Sequence, residues 1–170
     1  EVDALYRLAH AGVRVPTPYN FYEGVLLMEL VTGDDGNAAP RLNDVQLSAA
    51  TALKFHAFLI EQVVKMLLAV IVHGDVSEFN LLVGSDGPVI IDLPQAVDAA
   101  GNNHAKDMLA RAVNNLAAYF GQFAQELLAT QYAKEIWELY KRGGLKVDSP
   151  LTGRFAETKK ADDMQSVMRE

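Results

Sequence analysis

Apolar positions along the chain fall into runs of different period, and each period predicts an element. Val2, Leu5, Leu8 and Ala9 lie on one helical face, and Gly12 supplies a stop, so Glu1 to His10 is predicted to be helical. VRVPTP must be extended, because the residue before each proline is kept out of the helical region. Asn20 to Glu23 and Val25 to Val31 read as two strands around Gly24. The second, VLLMELV, is almost wholly apolar and is expected to be buried on both faces. TGDDGNAAP is a polar, turn-rich loop. A long helix follows from about Val45 to Ala69, with Leu47, Ala50, Leu53, Ala57, Ile60, Val64 and Leu67 on one side. The longest apolar run, Ala57 to Val72, contains Glu61, Gln62 and Lys65, so it reads as a buried amphipathic helix and a short strand rather than a membrane span. Leu81 to Val83 and Val89 to Ile91 flank GSDGP, a turn suited to a β-hairpin. Helices are predicted over His104 to Phe120 and Gln122 to Tyr140, then a polar tail from Asp148 to Glu170. Within that tail, DSPLTGRF has the apolar residues to pack back on the body, with no sequence signal for the surface it meets. There is no internal repeat, and the class is α+β.

With 170 residues, half of them hydrophobic, the chain has material for one sizeable core and hardly for two. Twenty-two acidic against 15 basic residues give a net charge of −7, so direct nucleic-acid binding is not expected. The absence of cysteine excludes a disulfide framework and a Cys-based zinc site. No signal peptide is apparent, and a cytoplasmic location without membrane attachment is the expectation.

Chemistry concentrates in HGDVSEFNLLV, His73 to Val83, and VIIDLPQ, Val89 to Gln95. Asn80 precedes the first strand of the predicted hairpin and Asp92 follows the second. In an antiparallel hairpin both positions share the open end, where two side chains can meet at one cation. Asp75 belongs to the loop feeding that end. An Asp, an Asn five residues on, a strand, a turn, a strand and a second Asp is the arrangement used for phosphoryl transfer from ATP. One Asp orients the attacking hydroxyl, while the amide and the other carboxylate hold magnesium against the phosphates. Two protein oxygens suffice, since magnesium keeps waters and takes phosphate oxygens as further ligands. A lone HGD would be no more than a polar surface turn. HGD, Asn80 and IID together, after a long helix and an apolar strand, favour phosphotransfer.

These residues resemble the catalytic and metal loops of the RIO-type atypical serine/threonine protein kinases, in which H-G-D-L-S-E-Y-N and I-D-x-x-Q replace the usual kinase loops. The Ser77-Glu78-Phe79 insert makes the resemblance specific against aminoglycoside and choline kinases, which share HGD and Asn. EVDALYRLAHAGVRVPTP is similar to the family's helix C and following turn, and LLMELV to its hinge, so the resemblance runs from about Glu1 to Phe120. It implies a kinase-like fold with residues 1–31 as the remnant of an N-terminal lobe, 32–147 as the C-terminal lobe and 148–170 as a tail. It further implies Asp75 as catalytic base, Asn80 and Asp92 as ligands of magnesium or manganese, and Met28 as the residue guarding an adenine pocket. Backbone groups of Glu29 and Val31 would bind adenine, and Glu1 would pair with a strand lysine. The implied activity is transfer of phosphate from ATP to Ser or Thr of an unidentified protein, self-phosphorylation included. The alternatives are an ATPase switch that carries phosphate transiently on Asp92, and a nucleotide-binding pseudokinase scaffold.

The chain departs from the family in two respects. A Gly-rich loop and the lysine should precede Glu1, and none of the 12 glycines forms G-x-G-x-x-G. With no initiator Met, the 170 residues are expected to be a fragment lacking most of the N-terminal lobe and to turn over negligibly alone. In LARAVNNL, Ala112 stands where the family often carries an acid that anchors the catalytic loop. No A-P-E segment follows Asp92, which fits RIO-type proteins rather than ordinary protein kinases, and the compact build points to their bacterial branch. His73 reads as a structural support of the loop backbone. His10, His56 and His104 make no metal-ligand spacing. Trp137 and Tyr140 read as core or rim packing, KRGG as a helix end, and Lys159-Lys160 as solvated tail.

Overall fold

The structure is a computed structural model that describes residues 2–92, 96–99 and 104–156. The opening helix forms over Val2–His10 (α1), with Leu5 and Leu8 buried. It ends in a left-handed cap at Gly12, φ +81°, where the Val13 N–H reaches the Leu8 carbonyl and the Gly12 N–H the Ala9 carbonyl. The expected extended segment follows, and Val13 and Val15 enter the core.

Pro18–Tyr22 (β1) and Val25–Met28 (β2) pair antiparallel across a two-residue turn. Glu23 at φ 48° and Gly24 at φ 78° give that turn the doubly left-handed backbone that matches strand twist. The second strand is shorter than predicted, and its expected burial is overturned: Val25, Leu27 and Met28 are all about half exposed or more. An apolar run implies burial only where something covers it, and among the described residues β2 pairs with β1 alone, in a two-stranded sheet.

A 3-10 turn at Leu42–Asp44 precedes the long helix Ala49–Leu68 (α2). The helix starts four residues later than predicted because Ser48 caps it, its hydroxyl accepting the Thr51 N–H at 3.1 Å. Ser48→Ala should cost about 1 kcal/mol in urea unfolding. The buried face agrees with prediction in the second half of the helix, where Ile60, Val64 and Leu67 are buried, and departs from it in the first half. Ala50, Leu53 and Ala57 are exposed, whereas Ala52, His56, Leu59, Gln62, Val63 and Met66 are buried. Apolar residues surround most of this helix, so periodicity alone could not choose between faces that include a histidine and a glutamine.

After α2, Val70 takes φ +60°, unusual for a β-branched residue, with its N–H on the Leu67 carbonyl and its own carbonyl accepting the Ala99 N–H. The chain then forms Ile71–His73 (β3), the predicted short strand. The hairpin Leu81–Gly84 (β4) and Gly87–Ile90 (β5) is in register Leu81 to Ile90, with Ser85 and Asp86 as its turn. Ala96–Asp98 (β6), which local pattern did not announce, pairs antiparallel with β3. Helix Ala105–Gly121 (α3) agrees with prediction. The predicted helix 122–140 is broken instead: Ala124 and Thr130 are extended, a 3-10 turn spans Gln125–Ala129, and α4 covers only Tyr132–Lys141. DSPLTGRF docks on α4. The Glu135 carboxylate accepts the N–H groups of Thr152 and Gly153 at 2.8 Å each, and the Gln131 N–H donates to the Gly153 carbonyl. Beyond residue 156 the predicted tail, with Lys159 and Lys160, lies outside the described residues.

One apolar cluster runs from Leu5 to Leu145 and joins α1, α2, β3, the hairpin, α3 and α4. Ala112 belongs to it at 4% exposure, so the position is filled by packing rather than by a charged anchor. Trp137 and Tyr140 pack on each other, ring centroids 5.5 Å apart. No helix among the described residues is long and apolar enough to cross a membrane.

His56 is 2% exposed between the rings of Phe120 and Tyr132, and its Nε2 has no partner among the described residues. Burial pushes its pKa down to about 4. The unfolded chain therefore takes up this proton first as pH falls, and stability drops between about 6.5 and 4. His56→Leu should lessen that acid loss, read as a smaller change in urea-unfolding free energy between pH 7 and 4.5. An unchanged pH slope would mean that His56 protonates freely in the folded state.

Candidate functional site

The loop between β3 and β4 is held from both sides by one ring. His73 is buried, its Nδ1 accepts the Asp75 N–H at 2.9 Å, and its Nε2 lies 3.1 Å from the Ile91 carbonyl. Both contacts are met by the tautomer protonated on Nε2. Burial lowers the pKa of His73, with the Ile91 carbonyl and the charges of Asp75 and Asp92 acting the other way. The ring thus supports the loop backbone, as its place beside Gly74-Asp75 predicts, and ties that loop to the strand leading to Asp92.

Asn80 is fixed as firmly. Its Nδ2 donates to the Asp75 carbonyl at 2.8 Å and to Asp75 Oδ2 at 2.9 Å, and its N–H donates to the Ser77 carbonyl. The Ile91 N–H donates to the Asn80 carbonyl at 3.0 Å, which continues the hairpin pairing one step past Leu81 and Ile90 and brings Asn80 next to Asp92. With Nδ2 committed to Asp75, Oδ1 is the amide atom left for a cation. Asp92 is exposed and has φ +64°, a left-handed backbone in a residue other than glycine.

A cavity of about 780 Å³ opens between the segment after β2 and the end of the hairpin. Its lining includes Met28, Glu29 and Val31 as well as Asn80, Leu82, Ile91 and Asp92. Its size is that of a small-molecule site. Five of the sequence-predicted site residues thus share one cavity. Asp75 is not among the lining residues; it stands beside Asn80 and is exposed. Glu1 lies outside the described residues, as does Gln95 of the second motif. Among the described residues no cluster of three or more His, Asp or Glu forms a metal cage, and the predicted pair of one amide and one carboxylate does not need one.

The segment after β2 is irregular backbone held in place. The Glu29 N–H donates to the Thr17 carbonyl, the Ala39 N–H to the Val31 carbonyl, the Ser85 N–H to the Thr32 carbonyl and the Val83 N–H to the Pro40 carbonyl. Two residues that sequence reasoning missed stand here. Arg41 is the cation that lines the cavity among the described residues, in an unremarkable PRLND context. Arg14 grips the Glu29 carboxylate with two nitrogens, at 2.9 and 3.0 Å. That fork, with the Thr17 N–H, lowers the Glu29 pKa to about 2. No local signal announces the pair, whose members are 15 residues apart.

The sequence profile of the RIO domain matches residues 1–133. The chain belongs to the RIO family. Among RIO relatives, the RIO-type serine/threonine-protein kinase Rio1 of Haloferax volcanii is 38% identical over 116 residues, covering 68% of this chain and 39% of that protein. Human serine/threonine-protein kinase RIO1 is 32% identical over 139 residues, covering 81% of this chain and 24% of its own length. The Rio1 kinase of Thermoplasma acidophilum is 32% identical over 120 residues, 71% of this chain and 61% of that protein. The chain therefore spans only part of the length of these RIO relatives.

Proposed function

We propose that the protein to which this chain belongs transfers the γ-phosphate of ATP to Ser or Thr of a protein, itself included, with magnesium or manganese. The observation that carries this reading is the shared cavity, lined by Met28, Glu29, Val31, Asn80 and Asp92, with Asp75 2.9 Å from Asn80. Residues 1–31 and 32–147 would be the two lobes around it. Adenine would sit against the Glu29 carbonyl and the Val31 N–H beside Met28. Asn80 Oδ1 and the Asp92 carboxylate would hold the cation, which would supply positive charge against the phosphates. Asp75 would accept the proton of the attacking hydroxyl, and the Asn80 amide would keep that carboxylate in position. The relatives named as serine/threonine-protein kinases support the substrate class.

The test is incubation of the full-length protein with labelled ATP and magnesium, alone and with a serine-rich acceptor protein. Label on Ser or Thr is expected. Released phosphate without stable Ser or Thr label would favour the ATPase switch, and binding without either would favour the scaffold.

A further inference from the structure

Arg14 occupies a junction that phosphoryl-transfer chemistry does not itself require. Its guanidinium forks onto Glu29 and reaches Asp86 in the β4–β5 turn at 3.2 Å through Nε, with Nη1 also donating to the Val15 carbonyl at 3.0 Å. Its backbone continues the pattern: the N–H donates to Gln62 Oε1 of α2 at 2.8 Å, and the carbonyl accepts the Ile90 N–H of β5 at 3.0 Å. One residue therefore touches the adenine side of the cavity, the long helix, and both ends of the strand that leads to Asp92. Gln62 is 1% exposed, so that contact is locked inside the core. The Arg14–Glu29 fork is about four-fifths shielded from solvent, where a planar bidentate pair is at its most specific.

We infer that Arg14 is a positioning residue for nucleotide: by holding Glu29 at a fixed height over the β4–β5 hairpin, it sets the distance between the adenine-binding backbone and the cation-binding pair Asn80 and Asp92. This rests on the adenine and cation assignments proposed above. The guanidinium touches neither nucleotide nor the reacting oxygen. Its effect falls on the Glu29 carbonyl and, through Ile90, on the strand before Asp92. The raised Arg14 pKa and lowered Glu29 pKa, each with their mutual hydrogen bonds as the largest cause, keep the pair charged across the physiological range.

The experiment compares wild type, Arg14→Met, Arg14→Lys, Glu29→Gln and the Arg14→Met/Glu29→Gln double variant in the full-length protein. It reads adenosine affinity by calorimetry, ATP KM and kcat, and the melting temperature. Arg14→Met and Glu29→Gln should each weaken adenosine and raise the ATP KM by about tenfold, the worth of one charge-assisted bond, with kcat within about threefold. The double variant should be no worse than the poorer single one, because both break the same link. Arg14→Lys, with one contact in place of a fork, should fall between. Adenosine affinity within about twofold of wild type in these variants, with only the melting temperature lowered, would reduce Arg14 to a fastener of the fold and overturn the inference. If Arg14→Met does not fold, the gentler Arg14→Lys and Glu29→Gln decide it on the same readout. A folded wild type that binds neither adenosine nor ATP would instead overturn the nucleotide site itself, and this inference with it.

Discussion

Asp75→Asn in the full-length protein is expected to cut phosphate transfer to protein by about 10²- to 10⁴-fold, the usual worth of a positioned base. Affinity for magnesium and ATP should stay within about threefold of wild type. The substitution is clean because an asparagine keeps one side-chain oxygen to accept from Asn80 Nδ2, now met at 2.9 Å, and keeps the backbone carbonyl that Asn80 also uses. What it removes is the negative charge and the capacity to take a hydroxyl proton. The residues assigned to adenine and to the cation are others, and they line the cavity where Asp75 does not. Labelled-phosphate transfer and calorimetric titration on the same preparation separate the two effects. Full transfer by the variant would remove Asp75 from the role of base.

Asp92→Asn should act on binding instead. The magnesium-dependent gain in ATP affinity is expected to fall by about tenfold or more, the loss of a charged ligand, while ATP without magnesium binds as in wild type or slightly better. Among the described residues two carboxylates line the cavity, and Glu29 is committed to Arg14, which leaves Asp92 available to a cation. Asparagine is also among the side chains that φ +64° tolerates, as aspartate is, so the measurement isolates charge from backbone strain. Titrations with and without EDTA provide the check. An unchanged magnesium dependence would remove Asp92 as a ligand.

Much of this site was readable before any coordinates, for local reasons. The turn GSDGP between short apolar strands signals a hairpin, and a hairpin brings the residue before it and the residue after it to one end. Asn80 and Asp92 follow from that alone. The long helices were readable in existence, less so in detail. Ser48 overrode the start of α2 through a hydrogen bond, and the face was read correctly at Ile60, Val64 and Leu67 but not at Ala50, Leu53 and Ala57, because leucine and alanine surround a helix that buries His56 and Gln62. The break at Ala124 and Thr130 left no proline or glycine signal between them. β6 and the Arg14 junction depend on partners far along the chain, 72 residues in the case of Asp86, and no local pattern encodes such pairings. The apolar β2 strand misled because composition states what a segment would bury, not what is there to cover it.

Val70 gives the fold a reserve that laboratory evolution can draw on. A valine at φ +60° holds roughly 1–2 kcal/mol of steric strain, and Val70 lies between α2 and β3, outside the residues lining the cavity. A glycine or asparagine there would release part of it, so selections for second-site suppressors of damaging site variants should return codon 70 repeatedly. Such a suppressor would restore the yield of folded protein without repairing chemistry, and would tell variants lost to misfolding from those lost to catalysis.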